Sequence, residues 1–402
     1  MLNKKIIGIL VTSSDYKIVI NINNFLYDKI LKEFKELYII NLENLILFKK
    51  KKNNKKIHFK FNKIKVFKPN NSSELINFFK NKKLIAFNCI GKNFLNFKIY
   101  YILNKINLTQ ILLLNIGYLN NIVETNLKDI SNIFSNTFFV YNKKITAFFF
   151  KIFTILNLFP KINYYLDSSK LTIKNINKSF IRKLEKIFPK MKISYFRKAI
   201  NINSRSYDQL IDKKIINKNK YIVFIDSYFE HGDRILREGS IKKSDSIKYY
   251  FLLGMFLKKL SKIYNKKIVI CVHPKNNNKL FFNHFKNFII KKYKTQEMIQ
   301  SSFITLFHES SAIMDAILLN KNIILLKTNL LGNYLSNRVQ QYERELNILS
   351  IDINDGALLN KKRLNRLFSY NKNKYSHYIK SYLNPDGVIP GYQKIIKLIK
   401  KI

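Results

Sequence analysis

Short, almost wholly apolar runs recur along this chain, and segments of helical period separate them. IIGILV, LYIIN, KIKVF, LIAFNCI and ILLLNI occupy the first half; YIVFI, IVICV, FITLF and NIILL occupy the second. Between them lie NFLYDKILKEF, NFLNFKIYYILNKIN, IKYYFLLGMFLKKLSKIY and SAIMDAILLN. A strand that is apolar at every position is buried on both faces, which requires helices above and below it. The alternation therefore predicts open parallel α/β sheets. At 402 residues the chain exceeds what one small core accommodates. It is read as two domains, residues 1–219 with a linker and residues 220–402. The boundary is set at the end of the polar stretch NSRSYDQLIDKKIINKNK, near Asn219. Two such sheets are expected to face each other across a cleft. Ligands of these sheets bind beyond the carboxyl ends of the strands, so the residues just after each run carry the functional reading.

Composition narrows the classes. An apolar fraction of 47% excludes a disordered polycation, despite a net charge of +48. Ten Gly, six Pro and two Cys exclude a collagen or a disulfide scaffold. Lys, Asn, Ile and Phe are enriched together, so codon bias accounts for much of the lysine; attraction to an anionic membrane surface is the next reading. No zinc-finger spacing or RNP-type aromatic motif supports nucleic acid. No uncharged apolar run of spanning length is found. MLNKKIIGILVTSSD imitates a signal peptide, but Ile6 to Val11 is short and ends in polar residues, as the first strand of a cytoplasmic protein would. Ile145 to Pro160, after Lys143 and Lys144, suits either an interfacial helix or a core helix. Cys89 and Cys271 lie in apolar runs and read as buried thiols of a reducing compartment.

Four strand-end clusters carry potential chemistry. Asp226-Ser227-Tyr228-Phe229-Glu230-His231-Gly232-Asp233 concentrates carboxylates in a chain poor in them, and Asp226 or Asp233 is a candidate general base. His273-Pro274-Lys275 ends a buried strand, where a histidine and a lysine can meet a phosphate and the proline fixes the exit. His308-Glu309-Ser310-Ser311 precedes a helix, so its hydroxyls either contact an anionic ligand or cap the helix. Ser13, Ser14 and Asp15 follow the first strand and are candidates for the acceptor side of the cleft. Walker, GxGxxG, GxSxG and HExxH patterns are absent, so no P-loop, dinucleotide, hydrolase or zinc-protease reading stands, and no metal or cofactor is expected.

A strand ending in His-Pro, with Ser-Ser opening a later helix, resembles GT-B glycosyltransferases of bacterial surface polysaccharides. Sialyltransferases and polysialyltransferases of that group carry such motifs around a nucleotide phosphate, and His273-Pro274 and Ser310-Ser311 match them. The resemblance covers about Tyr221 to Lys327. It implies two Rossmann-like domains and a CMP-, CDP- or UDP-linked sugar donor, without metal. The sugar would pass to a capsule or lipopolysaccharide glycan or a lipid-linked acceptor, at the inner face of the cytoplasmic membrane. The acidic base motif of those transferases is not matched in the first half; Glu230-His231-Gly232-Asp233 is the nearest string. Teichoic-acid glycerophosphotransferases share the His-Pro and Ser-Ser layout and imply CDP-glycerol, with His273 catalytic. A basic, non-enzymatic membrane- or nucleic-acid-binding module is the alternative of another class.

Overall fold

The computed structural model describes residues 4–12, 16–34, 36–46, 64–114, 145–146, 148–150, 152–170, 196–211, 219–230, 243–384, 387 and 389–402. They build two compact units. The first comprises Met1–Ile116, Val140–Asp208 and Pro385–Ile402, and the second contains Gln209–Asn384.

Seven parallel strands form the sheet of the first unit: β1 (Lys4–Val11), β2 (Leu37–Asn41), β3 (Ile64–Phe67), β4 (Lys82–Asn88), β5 (Leu108–Leu114), β6 (Ile162–Asp167) and β7 (Phe196–Asn201). Their order is β3-β2-β1-β4-β5-β6-β7. The second unit holds β8 (Tyr221–Ile225), β9 (Ile268–Val272), β10 (Ile289–Lys292), β11 (Ser302–Phe307), β12 (Asn322–Lys327) and β13 (Ser350–Asp352). These are again parallel, in the order β10-β9-β8-β11-β12-β13. Both sheets thus start in the middle, grow to one side, and then reverse. The reversal lies between β1 and β4 in the first and between β8 and β11 in the second, the switch points at which such sheets take ligands.

The predicted α/β class is present in both units, and every residue of β9 is buried, as an all-apolar run requires. In the helix Lys243–Tyr264, Tyr249, Leu253, Phe256, Leu257 and Leu260 recur at helical spacing and enter the core of the second unit. Strands β7, β10 and β13 were not anticipated. All three are edge strands, short and carrying Arg197, Lys198, Lys291, Lys292 or Asp352, so they lack the apolar signature.

The last helix, Gly391–Lys401, packs in the first unit rather than with the residues that precede it. Its Ile395, Ile396 and Ile399 join Ile9, Leu26 and Ile30 in one core. Asp208 accepts hydrogen bonds from the N–H groups of Gly391 and Tyr392, both at 2.9 Å. A Cβ at Gly391 would sit 2.7 Å from the Asn203 carbonyl oxygen, so only glycine fits there. Cys271 is buried as expected, but Cys89 is exposed, because it lies just past the end of β4.

Candidate functional site

Three strand ends meet at the switch point of the second sheet. Phe224 of β8 pairs with Leu306 of β11, and Ile225 pairs with Cys271 of β9. Carried onward by a few residues, those registers set Ser227 level with both His273 and Glu309. A direct clasp confirms it on one side. The Ser227 hydroxyl donates to the Glu309 carbonyl oxygen at 2.6 Å.

Asp226 organises the other side. Its Oδ1 accepts from the Tyr228 N–H at 2.8 Å, and its Oδ2 accepts from the His273 N–H at 3.2 Å and from Asn276 Nδ2 at 2.8 Å. Burial pushes its carboxyl up; those three donors oppose the shift, and the neighbouring Glu230 charge adds to it. Tyr228 adopts a left-handed backbone with φ of 54°, which a bulky residue adopts only when its surroundings hold it there. Its ring then stacks over His273, with centroids 5.9 Å apart and planes at 29°.

His273 is half-buried, while Pro274 and Lys275 are exposed. The Lys275 N–H donates to His273 Nδ1 at 3.2 Å. In the neutral ring this bond places the proton on Nε2, which makes Nε2 a donor. Asn276, fully buried, donates its N–H to the His273 carbonyl at 2.9 Å and accepts from the Asn278 N–H at 3.0 Å. Asn278 donates to Glu230 and caps the helix Lys279–His284. Asn276 and Asn278 were missed in the sequence, since asparagine abounds throughout the chain and carries no signal by itself.

The end of β11 is built differently. His308 is buried, and its Nδ1 lies 2.7 Å from the Leu326 carbonyl oxygen. A carbonyl only accepts, so Nδ1 carries the proton. Nε2 then accepts from the Tyr249 hydroxyl at 2.8 Å. Both ring nitrogens therefore engage protein groups. Glu309 accepts from Arg338 Nε at 3.0 Å, in a pair whose side chains are only 15% and 3% exposed respectively. Arg338 also donates to Gln341 at 2.5 Å. The scarcity of arginine, nine against 64 lysines, was the available clue to this buried partner. Ser310 Oγ accepts from the Ala312 N–H at 3.2 Å, and the Ser310 carbonyl accepts from the Tyr342 hydroxyl at 3.3 Å. Ser311 is exposed at the mouth of the same turn.

Asp233, with His231 and Gly232, lies outside the described residues, as do Ser13, Ser14 and Asp15. Among the described residues, no cluster of three or more His, Cys, Asp or Glu is placed to hold a metal ion. Chemically, the assembled edge offers an Nε2–H donor and an exposed ammonium beside a hydroxyl-bearing turn. Buried carboxylates hold all of it in place.

No family model matches the chain, and no curated protein matches it in sequence. Among solved structures it is similar to the wall teichoic acid polymerase TagF in a histidine-to-alanine variant. The identity is 12% and the TM-score 0.54, over 98% of this chain and 88% of that one. A histidine-to-asparagine variant of the same polymerase, soaked with CDPG, matches at 13% identity and a TM-score of 0.51, covering 99% and 88%. The UDP-GlcNAc 2-epimerase of Neisseria meningitidis bound to UDP-GlcNAc gives 13% identity and a TM-score of 0.48, covering 99% and 100%. At such identities the polymerase likeness shows the fold, and with the two sheet orders above, that fold is GT-B.

Proposed function

We propose that the chain is a transferase of bacterial surface-glycan synthesis that draws a sugar, of sialic-acid type in the closest motif resemblance, from a CMP-, CDP- or UDP-linked donor. The observation that carries this is the end of β9, where Asp226 holds the His273 N–H, the Tyr228 ring stacks on the imidazole and the Lys275 N–H fixes Nδ1, so that a half-buried histidine and an exposed lysine stand together at the switch point. A phosphate leaving a donor gains charge as its bond to the sugar breaks. A preorganised N–H and an ammonium at that point stabilise the charge with little reorganisation. His273 and Lys275 take those parts, and Ser311 holds a phosphate oxygen. The sugar carbon breaks its bond to the phosphate oxygen and forms one to an acceptor hydroxyl oxygen. The hydroxyl proton passes to a carboxylate and the nucleotide departs as an anion.

Asp226 is fully engaged by three donors, so we assign it to holding the His273 loop and leave Asp233 as the carboxylate of that cluster for proton removal. His308 and Glu309, tied to Tyr249, Leu326 and Arg338, serve the frame in this reading. Donor binding belongs to the sheet within residues 220–402 and the acceptor to the sheet within residues 1–219, with Ser13, Ser14 and Asp15 beside it. The charge of +48 supports work against the anionic inner face of the cytoplasmic membrane.

A second reading, transfer of glycerol phosphate from CDP-glycerol, is favoured by the likeness to TagF soaked with CDPG. Separate incubations with CMP-sialic acid, UDP-GlcNAc and CDP-glycerol, scored by nucleotide release, decide between them. Release from a sugar donor alone supports the first reading, and release from CDP-glycerol alone supports the second. No release from any of the three, by a folded protein supplied with lipid-linked acceptors, removes both.

A further inference from the structure

We infer that the first unit docks on anionic lipid through an apolar face formed by Phe94, Phe148, Phe149, Ile155, Leu156 and Leu158. This deepens the membrane reading above by naming the surface, and it is independent of the chemistry assigned to the second unit. All six side chains are exposed, Phe148 and Leu156 by 60% each. Clustering at this density is not the scatter of single apolar residues found on ordinary surfaces. Its aromatic part is continuous. The rings of Phe94 and Phe149 lie 6.0 Å apart, and those of Phe148 and Phe149 also 6.0 Å.

The backbone beneath this face is firmly seated. Phe150, Phe153 and Phe159 of the same segment turn inward and pack edge-on against Phe97, at 4.7, 5.5 and 5.3 Å between centroids. Asn104 Nδ2 donates to the Asn157 carbonyl at 2.5 Å, fixing the turn that presents Leu156 and Leu158. A segment anchored by one set of aromatic rings therefore holds a second set outward. This costs solvation unless something apolar covers it.

Charge selects the occupant. The described residues 89–114, 148–150 and 152–166 contain four lysines and no Asp or Glu. Lys98 and Lys105 are exposed, and Lys105 Nζ lies 4.7 Å from the Tyr101 ring centroid. Aliphatic and phenyl groups entering the acyl boundary, with ammonium groups at headgroup level, form the pattern of an interfacial anchor. A second copy of the chain fits less well, because a two-fold contact would bring the same lysines together. The exposed rings could stack on bases, but the aliphatic half of the face, Ile155, Leu156 and Leu158, offers a nucleic acid neither a stacking plane nor a hydrogen bond.

The test is flotation of the full chain with phosphatidylcholine vesicles, with and without phosphatidylglycerol. Wild type is expected to float with the anionic vesicles only, less so at high salt. Phe148→Ser combined with Leu156→Ser should lose about tenfold or more in partitioning, at unchanged melting temperature. Phe251→Ser, an equally exposed position in the second unit, should float as wild type does. Wild type that never floats overturns both the membrane reading and this surface. A double variant that floats like wild type overturns the surface alone, as does a Phe251→Ser variant that loses as much. A wild-type dimer in sedimentation that the double variant abolishes would reassign the face to a second copy. Oligonucleotide binding lost in the double variant while flotation persists would reassign it to nucleic acid.

Discussion

Strands β9 and β11 flank β8 on either side, and each delivers a histidine immediately beyond its last residue. The two have opposite surroundings. His308 inserts between the end of β12 and the helix Lys243–Tyr264, donating to one and accepting from the other. His273 has its backbone N–H taken by Asp226 and its Nδ1 by its own loop, with the Tyr228 ring stacked on it. A histidine whose two nitrogens are both satisfied within the core has been spent on the frame. His273 is half-buried at a strand end, with its Nδ1 held by its own loop rather than by the core. The partners of the ring, more than its place at a strand end, distinguish the two roles.

The sharpest break of this comparison is the pair of alanine variants. His273→Ala should raise the barrier to turnover by about 2.7–4 kcal/mol, roughly a hundred- to a thousandfold in rate, with donor affinity and melting temperature nearly unchanged. His308→Ala should instead leave the Leu326 carbonyl and the Tyr249 hydroxyl unpaired in the core, at about 1–3 kcal/mol each. It would show in denaturant unfolding before it shows in kinetics. Reversed signatures, with His273→Ala unfolding and His308→Ala folded but inactive, would exchange the two assignments.

A smaller effect tests the fastening of the His273 loop. Burial raises the Asp226 carboxyl above its unfolded value. A group with a raised pKa binds its proton more tightly when folded, so its contribution is fully present below the unfolded value of about 4 and is lost as pH rises through the folded one. Asp226→Asn cannot titrate. The stability of wild type relative to this variant should therefore be greatest near the acid end and fall as pH rises, read by denaturant midpoints across that window. A pH-independent difference would mean that Asp226 is not buried as described.

Most of the fold was legible because its strands are buried on both faces and leave unbroken apolar runs. β8, β9, β11 and β12 are all of this kind, and all were anticipated. The edge strands β7, β10 and β13 were not, since an edge exposed to water admits lysine, arginine and aspartate and erases the run. Nor was the placement of Gly391–Lys401 in the first unit, because an amphipathic helix shows that it has an apolar face but not which core receives it. In the site, the strand ends were legible in the sequence, while the bonds that hold Asp226 and His308 join residues 18 to 59 positions apart. Such bonds leave no trace in local pattern. Arg338 was the exception in principle, as an arginine kept where this chain otherwise uses lysine.

The finest division lies between two adjacent serines. Ser310 Oγ already accepts from the Ala312 N–H and so belongs to the turn. Ser311 is exposed beside it. If Ser311 holds a donor phosphate in the ground state and the transition state alike, its hydroxyl contributes uniform binding. Ser311→Ala should then raise the donor KM by about tenfold to a hundredfold, the value of one hydrogen bond to a charged group, with kcat unchanged. Ser310→Ala should leave KM alone and lower stability by about 0.5–1 kcal/mol, the cost of a lost capping acceptor. Steady-state kinetics and thermal melts on the two variants separate these outcomes. A fall in kcat for Ser311→Ala at constant KM would place that hydroxyl on the developing charge beside His273. Equal effects from both serines would assign the pair to the turn and leave the phosphate to His273 and Lys275.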